Sequence, residues 1–553
     1  MPSVRLLSAF SAGLFLLVVA LYAPTLRGEF VYDSIAQVLN GDYIHTSANW
    51  GEVLTLRVVA RDELDRNRPL HLASLMADAA LWKKNPFGYR LTSVLLHALN
   101  AALLFAIAAI GLCRCSGALR APEQLKNKAA ARGNGRPARS RPDNTGGTPV
   151  PSGQGSWGAI FAALFGALIF ALHPLVVEAV AEPSNREDLL VLFPTLFGVL
   201  LLLRAGVRPP RRWWPLNLAL VACAFLAVTA KESGAATPFV LLAAAWLFAP
   251  GEFKKWLPGV VLGVVVAGGF LAASYVFRPV ESAVFAHVPI GLGPGFWANL
   301  GLQCCIWTLQ IFQIFWPAHL SAHYLPQVLA GFSLPVAAVV LAAAGAAVWA
   351  LARTSRLALL GAVVFVLTLL PASNFAAQFH PVADRYLYAP LAGFGLIASA
   401  LAFALLTRFR GAFAAGAVVA VALIAAEYAV NFQRQLVWQN PKSLWTDVLV
   451  KFPGLSVAHL GLANDSYRAG RFEQARVSAA EAVVLSRSQW DEALAFQAIC
   501  EWQSGHRAEA VETFRALLRF SPRFRDIDRL AQTLFWSPDQ LEVMREVAAA
   551  ARF

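Results

Sequence analysis

The stretch LTSVLLHALNAALLFAIAAIGL, residues 91–112, carries no charged side chain and is long enough to cross a bilayer, which takes about 20 residues of α-helix. Ser93, His97 and Asn100 interrupt it at i, i+4 and i+7 and so share one side of its outer half. Polar residues in a span face the bundle interior rather than lipid. Two roles stay open for the trio: hydrogen bonds between helices, and chemistry.

Runs of the same kind recur outward from this one, at approximately 6–24, 157–172, 189–204, 214–230, 234–250, 256–277, 331–352, 357–373, 387–407 and 411–430. The first has Arg5 ahead of it and no clear small-residue cleavage site, and reads as a retained span. Of 553 residues, 58% are hydrophobic and 14% charged, a balance that soluble multidomain proteins rarely reach. The fold class expected is all-α: a polytopic membrane helix bundle of about eleven crossings over residues 1–430, followed by a soluble unit at 431–553.

A net charge of +13 raises the question of nucleic acid, but the basic residues sit in short clusters between apolar runs. Arg5, the 114–141 segment, the 204–212 segment, Lys254 and Lys255, Arg353 and Arg356, and Arg408 and Arg410 can all share the cytoplasmic side. No nucleic-acid partner is expected. A further apolar stretch at 296–316 would break this arrangement if it crossed, so a re-entrant or non-crossing helix is expected there. Asn299, Gln303, Gln310 and Gln313 give it a polar stripe suited to protein or a wet cavity. Residues 114–156, rich in Gly, Pro, Arg and Ser, read as a disordered basic cytoplasmic linker that is solvated or touches anionic lipid. The six cysteines include no CxxC pair, so neither a zinc site nor a disulfide framework is indicated.

This orientation leaves the loop 25–90, the loop around 172–188, the turn at 231–233, the joins near 278–330 and 371–386, and the C-terminal unit on the extracytoplasmic side. In that unit, AHLGLANDSYRAGRFEQARVSAAEAVVLS and ALAFQAICEWQSGHRAEAVETFRALLRFSP align Gly470 with Gly505 and Ala475 with Ala510. The offset is close to the tetratricopeptide period of about 34 residues. A capping pair is expected at about 524–552, and contact with the membrane domain through Trp438 and Trp445.

Candidate chemistry concentrates in the outer loops. Asp33 stands among Phe30, Val31, Tyr32 and Ile35, which would raise its pKa; it is a turn or cap residue, or a base. NRPLHLASLMADAALWKKNPFGYRL reads as an interfacial amphipathic helix with His71, Ser74 and Asp78 on one face and Leu70, Ala73, Ala77 and Leu81 elsewhere. Asp78 is then a solvated face residue or a site acid. In HPLVVEAVAEPSNREDLL, Glu178 and Glu182 lie one turn apart, and Ser184 or Asn185 can cap the helix that begins with Arg186, Glu187 and Asp188. A cation at a helix N-terminus is misplaced without an anion, so Arg186 marks a phosphate site or a local ion pair. Lys231 and Glu232 form a self-paired anchor or a site. In HPVADRYLYAP, Tyr386 and Tyr388 suit an interfacial belt, while Arg385 runs against the positive-inside bias and suggests a bound phosphate. No Walker loop, GxSxG elbow, HExxH or dinucleotide fingerprint occurs in a suitable context.

In order, FVYDS, RPLHLASLMADAALWKKNPFGYRLTSVLLHALNAALLF, HPLVVEAVAEPSNREDLL, AKES, DRYLYAP and SLWTDVLVKFP before the repeats resemble the transmembrane and tetratricopeptide-repeat O-mannosyltransferases and their bacterial relatives, of the GT-C superfamily. The resemblance implies an extracytoplasmic enzyme that moves a sugar from a polyprenyl-phosphate donor to an acceptor hydroxyl. The family's first loop carries two consecutive acids; here the first falls on Asp33 and the second position is Ser34. The other motifs map to Arg186 and Asp188, to Lys231 and Glu232, and to Arg385 and Tyr388. The expectations are Asp33 as base, Arg186, Lys231 and Arg385 on the donor phosphate, and Arg68, Asp78, His97, Glu178, Asp188, Glu232, Gln303 and Tyr388 at the cavity or acceptor. No metal ligand is assigned, and a divalent metal is left open. The partners expected are the lipid-linked sugar as cosubstrate, an acceptor protein or glycan, and membrane lipid, in a bacterial inner membrane with the repeats in the periplasm. A lipid flippase and a noncatalytic repeat scaffold are the alternatives.

Overall fold

The computed structural model describes residues 4–118, 154–277, 295–329, 331–374, 380–409, 411, 413–531 and 536–551. Most of the linker expected at 114–156 lies outside the described residues. Among them the chain is 84% helix with no strand. The helices are α1 (Val4–Leu21), α2 (Trp50–Leu54), α3 (Pro69–Trp82), α4 (Pro86–Ala118), α5 (Gln154–Leu172), α6 (Val177–Ala181), α7 (Glu187–Val207), α8 (Trp214–Ala230), α9 (Thr237–Phe248), α10 (Phe253–Val276) and α11 (Phe296–Phe315). They continue with α12 (Leu334–Ala352), α13 (Arg356–Leu369), α14 (Tyr388–Arg408), α15 (Phe413–Val437), α16 (Pro441–Lys451), α17 (Ser456–Arg468), α18 (Phe472–Leu485), α19 (Asp491–Gln503), α20 (Arg507–Phe520), α21 (Ile527–Ala531) and α22 (Pro538–Ala551).

Every apolar run read from the sequence is a helix. Seven helical segments are long and apolar enough to cross a membrane, Trp157–Leu172 and Pro174–Ala181 make a pair bent by 50°, and Trp214–Ala230, Glu232–Phe248 and Arg356–Ala372 are shorter apolar helices. Proline opens several of them, at Pro69, Pro215 and Pro238, where its missing N–H costs no helical bond. The helix at Phe296–Phe315 is not in the long apolar group, and Gln303, Gln310 and Gln313 on it are buried against protein.

α4 is the hub of the bundle: α1, α3, α5, α7 and α14 all pack on it. α13 and α14 approach most closely where glycines face each other, since a Cβ on Gly361 would lie 2.6 Å from the Gly393 carbonyl oxygen. α3 corrects the sequence reading. His71 and Asp78 point inward and are buried, whereas Ala77 and Leu81 are exposed. The polar face is buried because Asp78 finds Arg186 and Thr92 in the bundle, so amphipathic spacing located the helix but not which face turns inward.

In the C-terminal unit, α17 packs on α18, α18 on α19 and α19 on α20, with α22 against α19 and α20. The aligned pairs occupy equivalent places: Gly470 (φ +71°) and Gly505 (φ +92°) close the turns after α17 and α19, and Ala475 and Ala510 are fully buried on the following helices. A Cβ at either glycine meets no neighbour but must sit in the left-handed region. Gly470→Ala and Gly505→Ala should therefore each destabilise the unit by about 1 kcal/mol, read as a small, equal drop in its thermal midpoint. The unit meets the bundle where expected: Trp438 and Trp445 are buried with Val31, Val177, Ala181 and Ala322.

Candidate functional site

After α1 a short 3-10 helix, Ala23–Arg27, leads through an extended Gly28 to a turn at residues 31–34. There the Ser34 N–H donates to Glu182 Oε1 at 2.8 Å and the Ser34 hydroxyl donates to the Val31 carbonyl at 2.6 Å, with Glu182 Oε2 3.2 Å away. Ser34 is buried and Asp33, beside it, is exposed. The Asp33 carboxyl is nonetheless perturbed. Desolvation, reinforced by Glu178 and Glu187 and opposed by Arg385 and Arg68, pushes it up to about 6. Exposure and desolvation pull against each other here, and accessible water moderates the rise without reversing it.

Arg385 and Arg68 act on the Asp33 carboxyl electrostatically, and Lys231 joins Arg68 through a shared acid. Arg385, in the turn ahead of α14, holds Glu178 twice, with its backbone N–H at 3.2 Å and Nη1 at 2.5 Å. Lys231, between α8 and α9, reaches Asp188 at 2.8 and 2.9 Å and Glu187 at 2.9 Å. Arg68, ahead of α3, joins Glu187 at 2.5 Å, Asp65 at 2.8 Å and Glu232 at 3.2 Å. Glu187 thus bridges Arg68 and Lys231, and the Tyr386 ring lies 5.9 Å from Lys231 Nζ and 5.5 Å from the Arg385 guanidinium carbon. Carboxylates outnumber cations: Asp33, Asp65, Glu178, Glu187, Asp188 and Glu232 face Arg68, Lys231 and Arg385. The excess, added to burial, lifts the Asp65 carboxyl to about 6 as well.

The anchor reading of Lys231 and Glu232 is corrected, because each pairs with another loop rather than with its neighbour; Asn67 also donates to Glu232. Arg186 is an ion-paired residue, fully buried, 2.6 Å from Asp78 Oδ2. Its Nε donates to Ser93 Oγ at 3.1 Å, Nη2 to the Tyr89 carbonyl at 2.6 Å and Nη1 to the Ser74 carbonyl and hydroxyl at 3.3 Å. The Asp78 contact is an ion pair by distance, without the alignment of a hydrogen bond on Oδ2. Thr92 donates to the other oxygen at 2.7 Å. Of the readings open for Arg186, the local ion pair is the one present, and Asp78 is neither a solvated face residue nor an open site acid. Neither Ser184 nor Asn185 caps α7 with its side chain.

His97 and Tyr388 are fully buried in the bundle. His97 Nε2 lies 3.0 Å from the Ala171 carbonyl, which places its proton there, and Nδ1 then accepts from the Tyr388 hydroxyl at 3.0 Å. Asn100 donates to the Leu189 carbonyl and to Tyr388 at 3.1 and 3.2 Å. The polar trio of α4 therefore ties helices together, and Tyr388 is no interfacial belt residue. Gln303 Oε1 accepts from the Asn374 N–H and side-chain amide at 3.0 and 3.1 Å, joining α11 to the segment after α13.

Sequence reasoning missed the partners at the turn itself. Glu182 approaches Ser34, and the Tyr32 hydroxyl meets His323 and His380. These come from segments far apart in the chain, and no spacing signals them. Among the described residues no group of three or more His, Cys, Asp and Glu is placed to hold a metal ion. A cleft of about 440 Å³ lies elsewhere, in the C-terminal unit, lined by Lys442, Asp465, Arg471 and Glu473 among others. It contains none of the site residues expected from the sequence.

Fold and site together define a helical protein with apolar spans and a charged cluster gathered from five loops at one end of the bundle. No family model, curated protein or solved structure matches the chain.

Proposed function

We propose that the protein is an integral membrane glycosyltransferase of GT-C type, with about eleven crossings and a tetratricopeptide-like C-terminal unit. It transfers a sugar, mannose being the family's own, from a polyprenyl-phosphate donor to an acceptor hydroxyl of protein Ser/Thr or glycan, on the periplasmic side of a bacterial inner membrane. The observation that carries this reading is Asp33: an exposed carboxyl with a raised pKa that feels the charges of Arg385 and Arg68, the latter joined to Lys231 through Glu187. A carboxylate of that pKa is a fit base for an alcohol near neutrality. A lipid phosphate leaves with its charge absorbed by cations, so no acid group need protonate it. A single displacement by the acceptor oxygen inverts the anomeric centre.

Donor handling falls to Arg385 and Lys231, with Arg68, Glu178, Asp188 and Glu232 setting their positions; Arg186 is withdrawn from that role. Arg385→Gln should lower transfer by about 10²-fold, chiefly in kcat, because it removes a cation aimed at charge that develops in the transition state. Steady-state kinetics on the purified variant checks this.

The ion pairing of all three cations favours a second reading, a noncatalytic scaffold whose charges only hold loops together. Purified protein with a radiolabelled polyprenyl-phosphate sugar separates the readings. Transfer to acceptor supports the enzyme, movement across a vesicle without cleavage the flippase, and neither of these the scaffold.

A further inference from the structure

Tyr32 has φ +49°, a backbone state that an aromatic residue rarely adopts, and it immediately precedes Asp33. Conformations of this kind persist only where the surroundings fix them. Here the ring lies against Trp438 and Trp445 with centroids 6.1 and 5.7 Å apart, and the hydroxyl is 2.7 Å from His323 Nε2 and 3.4 Å from His380 Nε2. The two imidazoles meet edge to face at 4.5 Å. Burial and Arg385 hold both neutral, His323 at about 4 and His380 at about 2. One hydroxyl between two neutral imidazoles can donate its proton to one ring nitrogen and accept the N–H of the other, so both links can be satisfied at once.

The His380 backbone belongs to the same arrangement, since its carbonyl accepts from the Tyr386 hydroxyl at 3.0 Å, and Tyr386 adjoins Arg385. A continuous path thus runs from the Asp33 turn through Tyr32 and His380 to the turn that carries Arg385. We propose that Tyr32, His323 and His380 are positioning residues: a hydroxyl–imidazole brace that aims Asp33 and fixes it in register with Arg385. This rests on the catalytic reading above for its kinetic consequence, but the brace itself is a statement about the Asp33 carboxyl. A base misaligned by about 1 Å loses much of its advantage while substrate binding survives, which gives the brace a signature distinct from packing.

The test uses the full-length protein in lipid nanodiscs, as wild type, Tyr32→Phe, His323→Ala and His323→Gln. Transfer kinetics, the thermal midpoint and the infrared titration of the Asp33 carboxyl, assigned by its absence in Asp33→Asn, are measured on each. Tyr32→Phe keeps the ring and removes only the links. It and His323→Ala should lower kcat about tenfold with donor KM within about twofold, and shift the Asp33 titration by about one unit at an unchanged midpoint. His323→Gln, which restores a polar partner, should recover part of both. Arg385, Glu178, Glu187, Arg68, Asp65 and Glu182, which share electrostatic interactions with Asp33, are untouched in every variant. Unchanged kcat and titration, or losses that track a falling midpoint, overturn the brace. If the wild type transfers nothing, the catalytic reading fails by itself. The titration then decides the brace alone: a shift supports it and no shift overturns it.

Discussion

Asp33→Asn should lower sugar transfer by about 10² to 10⁴-fold while the protein folds and unfolds as before. The amide keeps the shape of the carboxylate but cannot take a proton from an alcohol. Folding tolerates the change because Asp33 is exposed and none of the ion pairs that hold the cluster includes it. The sign of its linkage agrees. A carboxyl raised to about 6 in the folded chain favours folding when protonated, and that contribution is lost as pH rises from the ordinary carboxylate range through the folded value. Removing the charge therefore relieves repulsion from Glu178 and Glu187 at neutral pH. Transfer by the wild type should rise with pH, reach half its maximum near 6 and level off above. The residual activity of Asp33→Asn should lack that limb. A variant with full activity, or a wild-type profile that is flat from pH 5 to 8, takes the base away from Asp33.

The position after Asp33 gains a meaning that sequence could not supply. Where the resemblance expects a second acid the chain has Ser34, buried, with its N–H on Glu182. An acidic side chain does face this turn, then, from the second loop rather than from the first. Burial and Asp33 raise Glu182 to about 8, relieved by Arg90 and by the Ser34 contacts, so near neutrality it is largely protonated and adds little negative charge beside the base.

What could be read in advance follows from the range of each signal. Spans are local, and a run without charges is a helix wherever it sits, so all the apolar segments were legible. The helix pairs of the C-terminal unit were legible for the same reason, since Gly470 and Gly505 mark turns and Ala475 and Ala510 mark contacts within single pairs. The direction of α3 was not, because periodicity gives two faces without saying which one turns inward. Pairings were illegible altogether. Lys231 finds Asp188 across two helices, Arg385 finds Glu178 and Tyr32 finds His323 across many more, and residue type announces only that a charge needs a partner.

Arg186 is the sharpest case, and replacing it has the second large effect. Its guanidinium and the Asp78 carboxylate are 0% and 5% exposed as side chains. Arg186→Met leaves that carboxylate buried with Thr92 as its one hydrogen-bonding partner among the described residues, and Asp78→Leu leaves a buried cation; each should cost about 3–5 kcal/mol. The double variant removes both charges and fills the space with apolar atoms, so it should unfold later than either single variant, a non-additivity that marks direct coupling. Thermal unfolding in detergent, followed by tryptophan fluorescence, measures all three. A donor-phosphate ligand behaves in the opposite way: a cation relieved of its ligand role leaves stability intact and raises the donor KM. Stable single variants with weakened donor binding would return Arg186 to the phosphate site; a destabilised pair rescued by the double variant makes it the pin that fastens α3 and α4 to the start of α7.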